Sequence, residues 1–150
     1  QDSQAPLWNA DSPWTDVTPL RAMPGAKKAI LGFGATAFVA AEAADQLATE
    51  DQAVDAWAVN GLPLDAGRLE ALFQQYPEGL VTIEDGLIGT PESGLRGFAG
   101  LVRGAAFGKK LPLVHLGIVD PRIAPSEGHL ELWQYFGIDV PSAVAAVKAL

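Results

Sequence analysis

A doubly wound α/β domain is the fold this sequence predicts, and two observations predict it. From Lys28 onward, short apolar runs alternate with helical stretches, the pattern of a parallel sheet carrying helices on both faces. The chain is also the right size: 150 residues and 15.7 kDa suit one domain around one core. Hydrophobic residues make up 49% and charged residues 19%, which excludes an intrinsically disordered chain.

The elements follow in order. Residues 1 to 27 read as an arm or linker, because Pro6, Pro13, Pro19 and Pro24 break any helix or central strand. Trp8 and Trp14 stand in this polar arm, where two indoles are costly to leave in water. They either fold back on the domain's own surface or cover a neighbouring domain or subunit. Ala29 to Gly34 is an apolar run ending in glycines, which fits a buried strand. Thr36 to Ala48 is an alanine-rich helix with Thr36, Ala40, Ala43 and Leu47 on one narrow stripe, whose small residues let it lie close to a sheet or a partner. Val54 to Val59 is the next strand. Asp65 caps a helix to Gln75 that turns Leu69, Leu72 and Phe73 inward. Leu80 to Ile83 is a third strand. Leu95 to Phe107 reads as a helix weakened by Gly97, Gly100 and Gly104. Leu111 to Leu116 is a fourth strand, Ser126 caps a helix through Phe136 that Gly137 stops, and Pro141 opens a last helix with Val144, Val147 and Leu150 along an apolar edge. Residues 28–150 thus form the domain.

Composition removes several function classes. With no cysteine, disulfides, thiol catalysis and sulfur-ligated metal centres are excluded within the chain. A net charge of -8 makes nucleic acid a poor partner. No apolar run reaches the roughly 18 residues of a membrane span. The first residues, QDSQAPLWNADSPW, lack the basic start and apolar stretch of a signal peptide, and a cytoplasmic location is expected.

Three groups of residues invite a chemical reading. Gly32-Phe33-Gly34-Ala35-Thr36-Ala37 follows a strand and opens a helix, the GxGxxA form of a dinucleotide fingerprint. The acidic residue expected about 20 residues on is missing from the end of the second strand, because Asp55 stands at its beginning. A tight strand-to-helix turn needing small residues explains the glycines equally. Glu84 and Asp85 end the third strand, at the edge where parallel sheets place ligands. Neighbours on a strand point to opposite faces, so the two carboxylates do not readily pair, and loop or interface roles suit them. His115, Asp120, Arg122, Ser126 and His129 gather around the fourth strand and the loop after it. A serine triad would need a glycine elbow that is missing, and a His/Asp metal set has nothing to fix its geometry. Interface, core or capping roles remain for them. No Walker loop, HExxH, CxxC or calcium loop occurs.

The order of several segments carries a family resemblance. Ile30 to Gly34 before an alanine-rich helix, Asn60-Gly61-Leu62-Pro63-Leu64-Asp65, Val81-Thr82-Ile83-Glu84-Asp85-Gly86, Leu116-Gly117-Ile118-Val119-Asp120 and Glu131 to Asp139 come at suitable spacing. Over residues 28–150 this series resembles the C-terminal domain of the transketolase family, with split transketolases and 1-deoxy-D-xylulose 5-phosphate synthase the most similar branches. One stretch departs from the pattern: where relatives have a Gly-Gly-x-Gly-Ser turn, residues 87–97 are longer and interrupted by Pro91.

The resemblance implies a three-layer α/β/α domain with a mostly parallel sheet of about five strands and one antiparallel edge strand, supplied by Val17 to Met23. It implies a whole enzyme that uses thiamine diphosphate and Mg²⁺, with both cofactors held by other domains and no catalytic, cofactor or metal residue in this chain. The expected role is dimerisation and bracing of the catalytic domains, the expected partners are those domains and further copies, and the isolated chain is expected to be inactive. The β subunit of a 2-oxoacid dehydrogenase, a non-catalytic docking module and a small nucleotide-binding domain are the alternative readings.

Overall fold

A computed structural model describes residues 16–61, 64–90, 92, 94–119 and 136–150. Five strands form one mixed sheet: β1 (Val17–Arg21), β2 (Lys28–Phe33), β3 (Val54–Val59), β4 (Gly79–Leu87) and β5 (Leu113–Ile118). Their order across the sheet is β1-β3-β2-β4-β5. Only the β1–β3 pair is antiparallel, and the pairs β3–β2, β2–β4 and β4–β5 are parallel. The antiparallel edge strand that the family resemblance implied is present, and Pro19 is tolerated in it because an edge strand can spare one donor. The helices are α1 (Ala37–Thr49), α2 (Ala66–Gln75), α3 (Gly97–Ala105) and α4 (Val140–Lys148).

Strand pleating sorts the core into two halves. Ile30, Ala56, Val81 and Ile83 face the layer made by α1 and α4. Ala29, Leu31, Val59 and Leu80 face the layer made by α2 and α3. The stripe read on α1 is the buried one, with Thr36, Ala40, Ala43 and Leu47 all fully inside. The Asp65 carboxylate accepts from the Gly67 backbone N–H at 2.8 Å and starts α2 as expected, a cap that stabilises by about 1 kcal/mol. Asp139 does the same for α4, accepting from Ser142 N–H at 3.0 Å, with Pro141 in the first turn. Edge strand β1 is fastened to α1 by Arg21, whose Nε and Nη2 donate to the two oxygens of Asp45 at 2.8 and 3.2 Å.

Two strands differ from the sequence reading. β4 runs past Ile83 to Leu87, because its ladder with β5 resumes at Leu87 opposite Ile118 after a register shift. That extension needs only backbone pairing, so the exposed residues Asp85 to Leu87 gave no apolar signal. β5 starts at Leu113 rather than Leu111, since Pro112 has no N–H and serves only as acceptor for Leu80. Helix α3 is shorter than expected, and its glycines do not act alike. Gly97 at its start has φ +61, and a Cβ there would lie 2.3 Å from Glu84 Oε1. This glycine is required by the local geometry rather than being a weakness in the helix.

Candidate functional site

In a doubly wound sheet, ligands enter the crevice at the carboxyl ends of the strands where the winding reverses. Here that crevice lies between β2, whose chain crosses to α1 on one face, and β4, whose chain crosses to α3 on the other. Several of the chain's own groups meet at this edge. The Thr36 hydroxyl sits 2.7 Å from the Phe33 carbonyl oxygen and 2.8 Å from that of Ile83, tying the short 3₁₀ turn Gly34–Thr36 across to β4. Gly32 packs under the start of α1 so closely that a Cβ would meet Ala37 Cα at 2.6 Å. On the opposite face, the rings of Phe33 and Phe98 stack with centroids 5.9 Å apart. Of the two readings of Gly32 and Gly34, the geometry around Gly32 matches the close strand-to-helix turn.

Glu84 and Asp85 part company, as strand pleating requires. Asp85 is exposed, whereas Glu84 is only 4% exposed. The Glu84 carboxylate accepts the backbone N–H groups of Phe98 at 3.1 Å and Ala99 at 2.8 Å. It therefore satisfies two of the donors that the first turn of α3 leaves free, from another element, while Arg96 in the N-cap position makes no side-chain cap bond. Burial pushes its pKa above the usual carboxylate range, against the two amide bonds that lower it.

His115 lies on β5 facing the α3 layer. Its Nδ1 is 2.6 Å from Thr82 Oγ1 on β4, and its Nε2 is buried without a hydrogen-bond partner. Burial, reinforced by the positive charge of Arg103, lowers its pKa to about 4. A neutral imidazole in strand β5 is thus the state at neutral pH. Asp120, Arg122, Ser126 and His129 lie outside the described residues, so the grouping around His115 is known only for His115 itself.

A fourth arrangement was not singled out from the sequence. At the amino end of the sheet, Tyr76 is fully buried and its hydroxyl donates to Asp55 Oδ2. Trp57 Nε1 donates to the same hydroxyl at 2.7 Å, and Met23 N–H donates to Asp55 Oδ1 at 2.7 Å. Burial and the Asp55 carboxylate raise the Tyr76 pKa, so the phenol stays protonated. The signal available was an aspartate inside the apolar run Val54-Asp55-Ala56-Trp57, because a buried carboxylate demands donors. All of its visible partners are structural, and it lies at the end of the strands opposite to the ligand crevice.

Among the described residues, no group of three or more His, Asp or Glu side chains is placed to hold a metal ion. The buried carboxylates are engaged by the fold itself, Asp55 by Tyr76 and Met23 and Glu84 by α3. No helix among the described residues is long and apolar enough to cross a membrane.

No protein-family model matches the chain, and no curated protein matches its sequence. Solved structures do match in fold. A split-gene transketolase described as an inactive beta4 tetramer superposes with a TM-score of 0.78 at 21% identity, over 99% of this chain and 46% of that one. The transketolase of Campylobacter jejuni subsp. jejuni NCTC 11168 gives 0.64 at 14% identity, over 99% of this chain and 20% of its own. The transketolase of Leishmania mexicana gives 0.60 at 19% identity, over 90% and 18%. The chain spans less than half the length of each of these proteins. Strand order, mixed pairing and neighbours agree: this chain has the fold of a transketolase C-terminal-like domain.

Proposed function

We propose that this chain is the C-terminal domain or subunit of a transketolase-like enzyme, and that it holds the assembly together and braces the catalytic domains without itself binding cofactor. The whole enzyme would use thiamine diphosphate and Mg²⁺ to move a two-carbon ketol unit between sugar phosphates, chemistry supplied by the cofactor when bound elsewhere. One observation supports the reading: where this fold class takes ligands, Thr36 bonds across to the Ile83 carbonyl and Phe33 stacks on Phe98, in a domain whose structural neighbours include transketolases. The arm, residues 1–27, includes edge strand β1, which ties it to the sheet. The tetrameric state of the split-gene neighbour supports self-association as part of the role.

Calorimetry of the isolated chain with thiamine diphosphate and Mg²⁺ tests the cofactor part. No heat of binding at millimolar ligand is expected, and saturable tight binding would overturn it. Light scattering coupled to gel filtration tests the assembly part. A homo-oligomer is expected, whereas a monomer at every concentration would remove it.

A further inference from the structure

Among the described residues, the two most exposed large apolar side chains are phenylalanines on opposite layers of the domain. Phe38, in the first turn of α1, is 76% exposed, and Phe107, in the turn after α3, is 91% exposed. Their surroundings are opposite in charge. Residues 37–51 carry four Asp and Glu and no Lys or Arg, whereas residues 94–110 carry four Lys and Arg and no Asp or Glu. Part of this charge is engaged within the fold: Asp45 pairs with Arg21, Glu50 with Lys148 and Lys109 with Glu70. Glu42 and Asp51 on the first face, and Arg96, Arg103 and Lys110 on the second, are exposed and make no ion pair among the described residues.

The basic face also has a hollow. A cavity of about 440 Å³, open to solvent, is lined by Leu95, Gly100, Arg103 and Gly104. Gly100 and Gly104 are neighbours one turn apart on α3, so the hollow is the space that two missing side chains leave. Gly100 cannot be enlarged to fill it, because a Cβ there would meet the Leu95 carbonyl oxygen at 2.7 Å.

We propose that the α1 face of a second copy docks on this α3 face, with its Phe38 ring in the hollow and its Glu42 against the surrounding cations. A cavity on the order of 150 Å³ already takes a benzene ring, so a phenyl side chain has room. Leu95 gives the ring an apolar wall, and the Arg103 guanidinium at the rim suits an aromatic face. Charge complementarity singles out a second copy as the occupant, because this chain carries both halves: an aromatic ring among carboxylates and a hollow among cations. The layers of α1 and α3 lie on opposite sides of the sheet, so the contact is head-to-tail, and a docked pair still presents one free face of each kind. The contact rests on the self-association proposed above, and these two faces carry it.

Sedimentation equilibrium of the full chain tests it with two variants that each block one face. Gly104→Gln fills the hollow at a helical position where a Cβ meets nothing within 4 Å, so the fold tolerates it. Phe38→Gln removes an exposed ring without changing the charge. The unsubstituted chain is expected to associate, and each variant alone to stay monomeric at the same concentration. An equimolar mixture of the two is expected to form a one-to-one dimer, since one copy keeps Phe38 and the other keeps the hollow. Should urea unfolding show either variant destabilised, Arg103→Glu blocks the basic face and Glu42→Lys the acidic one, and the same mixture is read. Variants that associate as the unsubstituted chain does, or a mixture that stays monomeric while that chain associates, overturn the docking and leave self-association standing. Association of one variant alone means that a face meets its own twin, and overturns it too. An unsubstituted chain that is monomeric at every concentration removes both.

Discussion

Under α1 and α4 the sheet meets small side chains, Ala40, Ala43, Ala44, Ala143 and Ala146, together with the bare backbone of Gly32. Under α2 and α3 it meets Phe73, Tyr76 and Phe98, and there it also carries Asp55, Thr82, Glu84 and His115. The first half is held by close packing, where shape decides stability and pH does little. The second half contains polar groups taken out of water, each of which has to be matched by a partner on another element. The contrast explains why the aromatic half draws attention as a site although its carboxylates are spent on holding the fold.

The largest effect should come from Gly97→Ala on the polar half. The new methyl group would displace Glu84 from the two amides and strain a left-handed backbone, so urea unfolding should show a loss on the order of 3 kcal/mol. A neutral result would mean that Glu84 does not anchor α3. On the packed half, Ala43→Leu inserts bulk under α1 and should lower stability by about 1–3 kcal/mol, with the same loss at pH 5 and pH 8. A strongly pH-dependent loss there would erase the contrast between the halves. Tyr76→Phe leaves Trp57 Nε1 and Asp55 short of the hydroxyl between them, for a loss of about 2 kcal/mol, read by the same unfolding curves.

Two buried groups on that half should drive pH dependence in opposite directions. The folded protein holds the Glu84 proton more tightly than the unfolded chain does, so its contribution is complete below pH 4.5 and is lost as pH rises through the raised pKa. His115 is the reverse. Its contribution is complete above pH 6.5 and is lost as pH falls toward 4. Glu84→Gln should therefore remove a loss that grows with rising pH, and His115→Gln one that grows with falling pH, each at most about 1.4 kcal/mol per pH unit. Identical pH profiles for the two variants would sink this assignment. The smallest effect belongs to Lys148→Ala. Its ion pair with Glu50 at 2.7 Å joins α4 to the end of α1 in open solvent, and no measurable change in stability is expected.

Local pattern was enough for β2, β3, the capped start of α2 and the buried stripe of α1, because pleat alternation, a carboxylate one residue before a helix and helical spacing are all written in neighbouring residues. The edge strand needed more: Pro19 argued against a strand, and its place came from the order of motifs along the whole chain. Glu84 capping α3, the Thr82–His115 pair and the Asp55–Tyr76–Trp57 network were not legible at all. They join residues 14 to 33 positions apart, and partners at that separation exist only once the strands lie side by side. The sequence by itself determined an α/β chain with an acidic surface, two helical layers and no cysteine chemistry. Only the tertiary structure decided that the turn after β2 is tied to β4, because that bond takes a threonine from one strand's turn and a carbonyl from its neighbour, brought together by the winding of the sheet.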